Sequence, residues 1–179
     1  MWGAGTYGVQ PSMITLAKAL GNGWPISALI ASNPLCDALE SGDHFSMRGS
    51  NPVMCSAALA TLDYIVENKL WENAAKLGRE ILDRLKEMER SNNVVGEVRG
   101  KGLMLGIEIV KTKTSKEPSV EECQRVRKMC ADNGLIVGVG GFWSNVVRIQ
   151  PPLTINEKQV EEGVEILERV LKRVEEQTR

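Results

Sequence analysis

Met13-Ile14-Thr15-Leu16-Ala17-Lys18-Ala19-Leu20-Gly21-Asn22-Gly23-Trp24-Pro25 joins an apolar run, one lysine and a glycine-rich break. The run Met13–Ala17 is short and apolar, which reads as a buried strand. Two glycines and a proline after Lys18 impose a tight turn with exposed backbone. Ile26–Ser32 is a second apolar strand, and Asn33-Pro34 breaks it. Strands this uniformly apolar belong to a parallel sheet covered on both faces, so the opening reads as a βαβ-like piece. Two strands alone cannot make such a sheet. Another chain, or residues outside this one, must cover them.

Outward from there, residues 34–40 read as a short helix and residues 41–52 as a loop. Asn51-Pro52 opens a long helical pattern, with apolar side chains every three or four residues to Met88, broken or bent near Asn68–Asn73. Ser91-Asn92-Asn93 ends it. Val94–Arg99 and Leu103–Val110 read as strands around the turn Gly100-Lys101-Gly102. After a polar loop, Val120–Asn133 forms an amphipathic helix stopped by Gly134. Ile136–Val139 and Val146–Ile149 are further strands. Asn156 caps a final helix to about residue 176, and the charges from Glu157 to Arg179 are a solvated face. The expected order is a βαβ-like piece, a long connecting helix and a compact α+β unit.

Composition narrows the function. The 179 residues are 42% hydrophobic and 25% charged, enough for a buried core. A net charge of −1 lacks the basic footprint of a nucleic-acid binder. No apolar run approaches the ~18–20 residues needed to span a bilayer. The amino terminus has no basic head and no apolar h-region, so it does not read as a secretory signal. Cys36, Cys55, Cys123 and Cys130 form no C-x-x-C pair, and His44 is the one histidine. A zinc site is not expected, and scattered thiols fit a reducing cytoplasm. Any Ser-His-Asp reading must use His44 with Asp43 and Ser46, but triad members meet through the fold, not by adjacency. Cys123 and Cys130 lie seven apart on one helix face, as core residues do.

Three places could carry chemistry. Lys18 ends an apolar strand beneath a flexible turn, a setting that suits a Schiff-base lysine if burial favours the neutral amine. A lysine snorkelling to water is the plainer alternative. Arg148, in Val146-Val147-Arg148-Ile149 before Pro151-Pro152, could aim its fork at a carboxylate or simply face outward. Ser46 and its loop precede a helix start, where backbone amides favour anions, although an ordinary capping loop looks the same. Gly138-Val139-Gly140-Gly141 is not a dinucleotide fingerprint, because Trp143 stands where the last glycine belongs.

Taken together, Gly8–Ile26, Asn51-Pro52, Val98–Gly106 and Val147-Arg148-Ile149-Gln150-Pro151-Pro152-Leu153 resemble the class III, pyridoxal-phosphate-dependent aminotransferases. The acetylornithine, 4-aminobutyrate and alanine–glyoxylate group is nearest in flavour. The resemblance covers nearly the whole chain. It implies an α/β chain of the PLP-dependent transferase fold type I. Residues 1–66 would be a C-terminal remnant of the large cofactor-binding domain, and residues 67–179 the small α+β domain. It implies transfer of an amino group between an amino acid or ω-amine and a 2-oxo acid. Lys18 matches the lysine that holds pyridoxal 5′-phosphate and moves the proton between substrate Cα and cofactor C4′. Arg148 matches the arginine that pairs with the substrate carboxylate. The Ser46-Met47 step matches a loop reaching the cofactor phosphate of the partner subunit in a homodimer.

Met47 stands where the family usually has Thr, Arg48 where it has an aromatic residue, and Ser27 where glycine is common. Full-length members are more than twice as long. The Asp that pairs with the pyridine nitrogen, the phosphate cradle and the ring-stacking aromatic are upstream in the family and have no counterpart here. The resemblance therefore leaves three readings: a truncated aminotransferase, completed where needed by a separate chain supplying the N-terminal part; an amino-acid racemase on the same fold; or a non-catalytic dimerising fragment.

Overall fold

A computed structural model describes residues 1–178. The charged run read to Arg179 ends outside the described residues. The chain divides into two compact units, Met1–Lys69 and Leu70–Arg179.

In the first unit, strands β1 (Met13–Leu16) and β2 (Ala28–Ala31) pair antiparallel, Met13 opposite Ala31 and Leu16 opposite Ala28. The βαβ-like expectation is corrected here. Between the strands lie a 3-10 turn, Lys18–Gly21, and a glycine turn with Asn22 and Gly23 at positive φ. A parallel crossover needs a dozen or more residues, usually a helix. The connection is too short and too turn-rich to provide one. Helix α1 is Asn33–Cys36, shorter than read, and the chain then turns as the Glu40 amide donates to Asp43 Oδ2 (2.8 Å). Helix α2 (Pro52–Glu67) starts at an Asn51 cap. Only Gly21 and Ala58 are buried in this unit, while Met13, Trp24, Leu29, Ile30 and Leu59 are exposed. The covered strands expected from sequence are uncovered in this chain.

The long helical pattern from Asn51 to Met88 is broken at Asn68 and Lys69 into two helices. Asn68 donates its side-chain amide back to the Tyr64 carbonyl, Lys69 takes φ 46°, and helix α3 (Leu70–Ser91) begins afresh.

The second unit has its own core. Strands β3 (Val95–Lys101), β4 (Met104–Ile109), β5 (Gly138–Gly140) and β6 (Val146–Ile149) form an antiparallel sheet in the order β3-β4-β6-β5. Side chains alternate across it. Leu105, Ile107, Ile109 and Val147 point into a layer of helices, where Leu77, Leu85 and Leu171 are also fully buried. Helices α3 and α4 (Val120–Asp132) lie on the sheet, and α5 (Glu157–Thr178) packs against both. Asn156 Oδ1 accepts from the Gln159 amide while Gln159 Oε1 accepts from the Asn156 amide, a reciprocal box that starts α5. Buried Asn92 closes the far end: it donates to the Leu171 carbonyl (3.0 Å) and accepts from the Val94 amide (3.0 Å). The strand read at Ile136–Val139 starts later, because pairing with β6 begins at Gly138; Ile136 is 93% exposed.

The turn between β3 and β4 meets α3 through two backbones. A Cβ on Gly78 would lie 2.2 Å from both the carbonyl carbon and oxygen of Gly102. Neither backbone can yield as a side chain could. Gly78→Ala should therefore destabilise the second unit by about 3 kcal/mol, the upper range for overpacking. Urea unfolding with an unchanged m-value is the measurement. A loss below about 0.5 kcal/mol would contradict this close approach.

Candidate functional site

Lys18 follows β1 directly and sits at φ 55°, an uncommon conformation for a side-chain-bearing residue. The turn it opens is held from behind. Gly21 is buried so close to Ile26 that a Cβ there would meet Ile26 Cγ2 at 2.7 Å, and α2 packs against the turn. Lys18 itself is exposed, and its amine has no hydrogen-bond or ion-pair partner among the described residues. The burial expected for this amine is not supplied by the chain's own side chains, because nothing covers β1 and β2.

Ser46 and Met47 are exposed, Met47 at 90%. Ser46 folds back over Gly49, where a Cβ would lie 3.1 Å from its Oγ. The expectation that the following helix start offers amides to an anion needs correction. Pro52 has no N–H, and the next two amides, of Val53 and Met54, already donate to Asn51 Oδ1 at 3.1 and 3.3 Å. The helix caps itself. What remains for a phosphate is the Ser46 hydroxyl and the loop backbone. His44 is exposed in the same loop.

Arg148 lies on β6 in the second unit, on the sheet face opposite the helices, between buried Val147 and half-buried Ile149. Its register partners are Gly138 on β5 and Gly106 on β4. The guanidinium is exposed and has no ion pair or hydrogen bond among the described residues. An acid is present on the same face: Glu108 of β4, opposite Val146. It is held elsewhere. Arg99 Nη1 donates to Glu108 Oε2 (2.8 Å) and to Glu97 Oε2 (2.7 Å). Beside it runs an open cleft of about 440 Å³ whose lining includes Arg148, Gln150, Pro151, Pro152 and Gln159.

The sequence names Arg148 as a candidate but not the Glu97–Arg99–Glu108 cluster or the glycines around it. The alternation within β3 and β4 places these charges on one face, but only the register joins them. Among the described residues no group of three His, Cys, Asp or Glu side chains gathers as metal ligands would. No helix among them is long and apolar enough to cross a membrane.

Cys123 and Cys130 are fully buried, and burial pushes both thiols up to about 11. They are core residues, and their thiols are poor nucleophiles near neutrality. A thiol reagent at pH 8 should label exposed Cys36 and Cys55 and spare the other pair until the fold opens. In the unfolded chain the thiols ionise near 9.0, before the folded ones do. Stability of the second unit is thus full below pH 9 and falls as the pH rises toward 11. Unfolding midpoints measured across that range check it; in a Cys123→Ala/Cys130→Ala variant the part of the decline due to these thiols should vanish.

The chain matches the family model for class-III aminotransferases over residues 1–171. It is 42% identical to a leucine/methionine racemase of Thermococcus litoralis over 95% of this chain and 38% of that protein. It is 36% identical to an acetylornithine aminotransferase of Methanothermobacter thermautotrophicus, over 96% of this chain and 41% of the other. Among solved structures, the omega transaminase from Pseudomonas jessenii in complex with PMP superposes with a TM-score of 0.90 at 28% identity, covering 99% of this chain and 41% of that one. The chain thus spans about two-fifths of the length of such relatives. Its fold is that of PLP-dependent transaminases, and the family's cofactor is pyridoxal 5′-phosphate. The chain belongs to the class-III aminotransferase family.

Proposed function

We propose that this chain is part of a PLP-dependent aminotransferase that moves an amino group between an amino acid or ω-amine and a 2-oxo acid. The family match over residues 1–171 carries the reading. The unpaired guanidinium of Arg148 supports it, since a planar fork without an internal partner suits a carboxylate. Unpaired Lys18 suits the attachment point: an exposed primary amine held on a turn in which Gly23 leaves open space. When bound, pyridoxal phosphate supplies an electron sink for the substrate's Cα. The chain's own residues do the rest. Lys18 holds the cofactor, and its amine then moves the proton at Cα. Arg148 takes the substrate carboxylate in a bidentate grip. In a homodimer, Ser46 would donate its hydroxyl to the phosphate of the cofactor held by the partner subunit, and Met47, lacking a hydroxyl, would contribute only its backbone amide.

In this reading, residues 1–66 are a C-terminal remnant of the large cofactor-binding domain and residues 67–179 are the small domain. The uncovered apolar strands of the first unit argue for a covering partner: a second copy in a homodimer, or a separate chain that supplies the N-terminal part of the fold. The place of work is the cytoplasm.

A second reading has its own support. The relative at 42% identity is a leucine/methionine racemase, and an alanine/serine racemase of Pyrococcus horikoshii is 38% identical. A racemase needs the same lysine and returns the proton to Cα instead of passing it to the cofactor. A fragment that only dimerises is the third reading. Mixing the chain with pyridoxal phosphate, reducing with borohydride and mapping the mass increase by peptide should place the label on Lys18. Lys18→Ala should remove it. Equal labelling spread over surface lysines would leave only shared ancestry. Where turnover is present, release of 2-oxo acid supports the aminotransferase, and loss of optical rotation without keto acid supports the racemase.

A further inference from the structure

Arg148 is packed against glycine. Gly138 lies opposite it on β5, and Gly140, two residues on, shares that face of the strand. A Cβ on Gly140 would stand 3.0 Å from Arg148 Nε, 3.1 Å from Cδ and 3.4 Å from Cζ. A Cβ on Gly138 would stand 3.4 Å from both Nε and Nη2. The end of the arginine therefore rests on bare β5 backbone. On its other side the register partner is again a glycine, Gly106.

The backbone does not require these glycines. Gly138 and Gly140 have ordinary strand conformations, unlike Gly141 at φ +84°. Glycine within a strand weakens it and needs a reason, such as the close approach of another group. Here the group approaching is the guanidinium. We propose that Gly138 and Gly140 are positioning residues, a side-chain-free ledge that sets the aim of Arg148 toward a ligand carboxylate. The inference rests on the reading of Arg148 as the carboxylate anchor. It adds what holds that anchor in place in the absence of any ion pair.

A methyl on Gly140 meets only the far end of a flexible side chain, so the fold survives and the arginine moves by a few tenths of an ångström. Misplacement on this scale weakens oriented binding by roughly three- to tenfold. Valine at 140 should do more. Neither change should lower the unfolding midpoint, because alanine and valine fit a strand better than glycine.

The full chain is the test material. The probe is the Nε–Hε resonance of Arg148, assigned by its loss in Arg148→Ala and titrated with propionate, with propanamide as the uncharged control. In the parent chain the resonance should respond to propionate alone. Gly140→Ala should shift the free resonance and weaken propionate binding roughly three- to tenfold. In the Arg148→Ala background, where that resonance is gone, propionate binding is followed at the backbone amide of Gly138, the register partner of residue 148, and the same substitution should change nothing further. If Gly140→Ala keeps the parent resonance and affinity while Arg148→Ala abolishes binding, the ledge is overturned and the anchor stands. If propionate binding is absent from the parent, or unchanged in Arg148→Ala, the anchor falls and the ledge with it.

Discussion

The two-residue period of β6 is the constraint from which the second unit follows. Val147 is fully buried under the helices and Ile149 packs at the edge of the same core, so Arg148 between them must face the other way. A slip of one residue would drive the guanidinium into the core and put Val147 in water. Burying an unpaired charge costs several kcal/mol, and exposing the valine adds to that. The hydrophobic core thus fixes the position of a residue it never touches. Asn145, buried just before the strand, pins the same register: it donates its side-chain amide to the Ile109 carbonyl (2.9 Å), and its own carbonyl accepts from the Ile109 amide (2.7 Å).

The two units differ in kind. The second buries apolar side chains from α3, α4, α5, β3, β4 and β6, and among the described residues no buried side-chain polar atom lacks a partner. The first leaves Leu29, Ile30 and Trp24 in solvent along with most of its apolar surface. Leu29 and Ile30 are about half exposed, so each forgoes roughly half of the about 1.5–3 kcal/mol that full burial gives. The strain at Lys18 belongs to the same picture. A left-handed lysine persists only where its surroundings hold it, and here the holding comes from Gly21, Ile26 and α2 beneath the turn.

Much of this was legible in the residues. The 3.6-residue pattern located α3, α4 and α5, and Gly100-Lys101-Gly102 located the β3–β4 turn. The motif around Lys18 located the family. What escaped were properties of pairing. Apolar strands read the same whether parallel or antiparallel, and whether or not anything covers them, so the sense of β1 and β2 was misread. The apolar spacing from Asn51 carries through Asn68 and Lys69, so the residues leave a break and a bend both open there; the break comes from a side-chain hydrogen bond and one left-handed residue. Arg148 could be named but not left unpaired on paper, since its freedom depends on Glu108 facing Arg99 across β3–β4. Glycines at 138 and 140 looked like a failed nucleotide loop, and only the register to β6 shows what lies on them.

Why Glu108 does not take Arg148 is a matter of small energies. Two carboxylates, Glu97 and Glu108, converge on one nitrogen of Arg99 and take both its N–H groups, while Arg148 across the sheet has no acid partner among the described residues. These side chains are about a quarter to a half exposed, and exposed pairs are typically worth less than about 1 kcal/mol. That corresponds to a preference of at most about fivefold. An internal acid with so weak a claim cannot hold Arg148 against an incoming carboxylate, nor does it need to be displaced, because its first allegiance is elsewhere. A stronger, buried pair would have fixed the arginine at the expense of its availability. A bare glycine bed and a neighbouring acid already engaged leave the guanidinium both oriented and free.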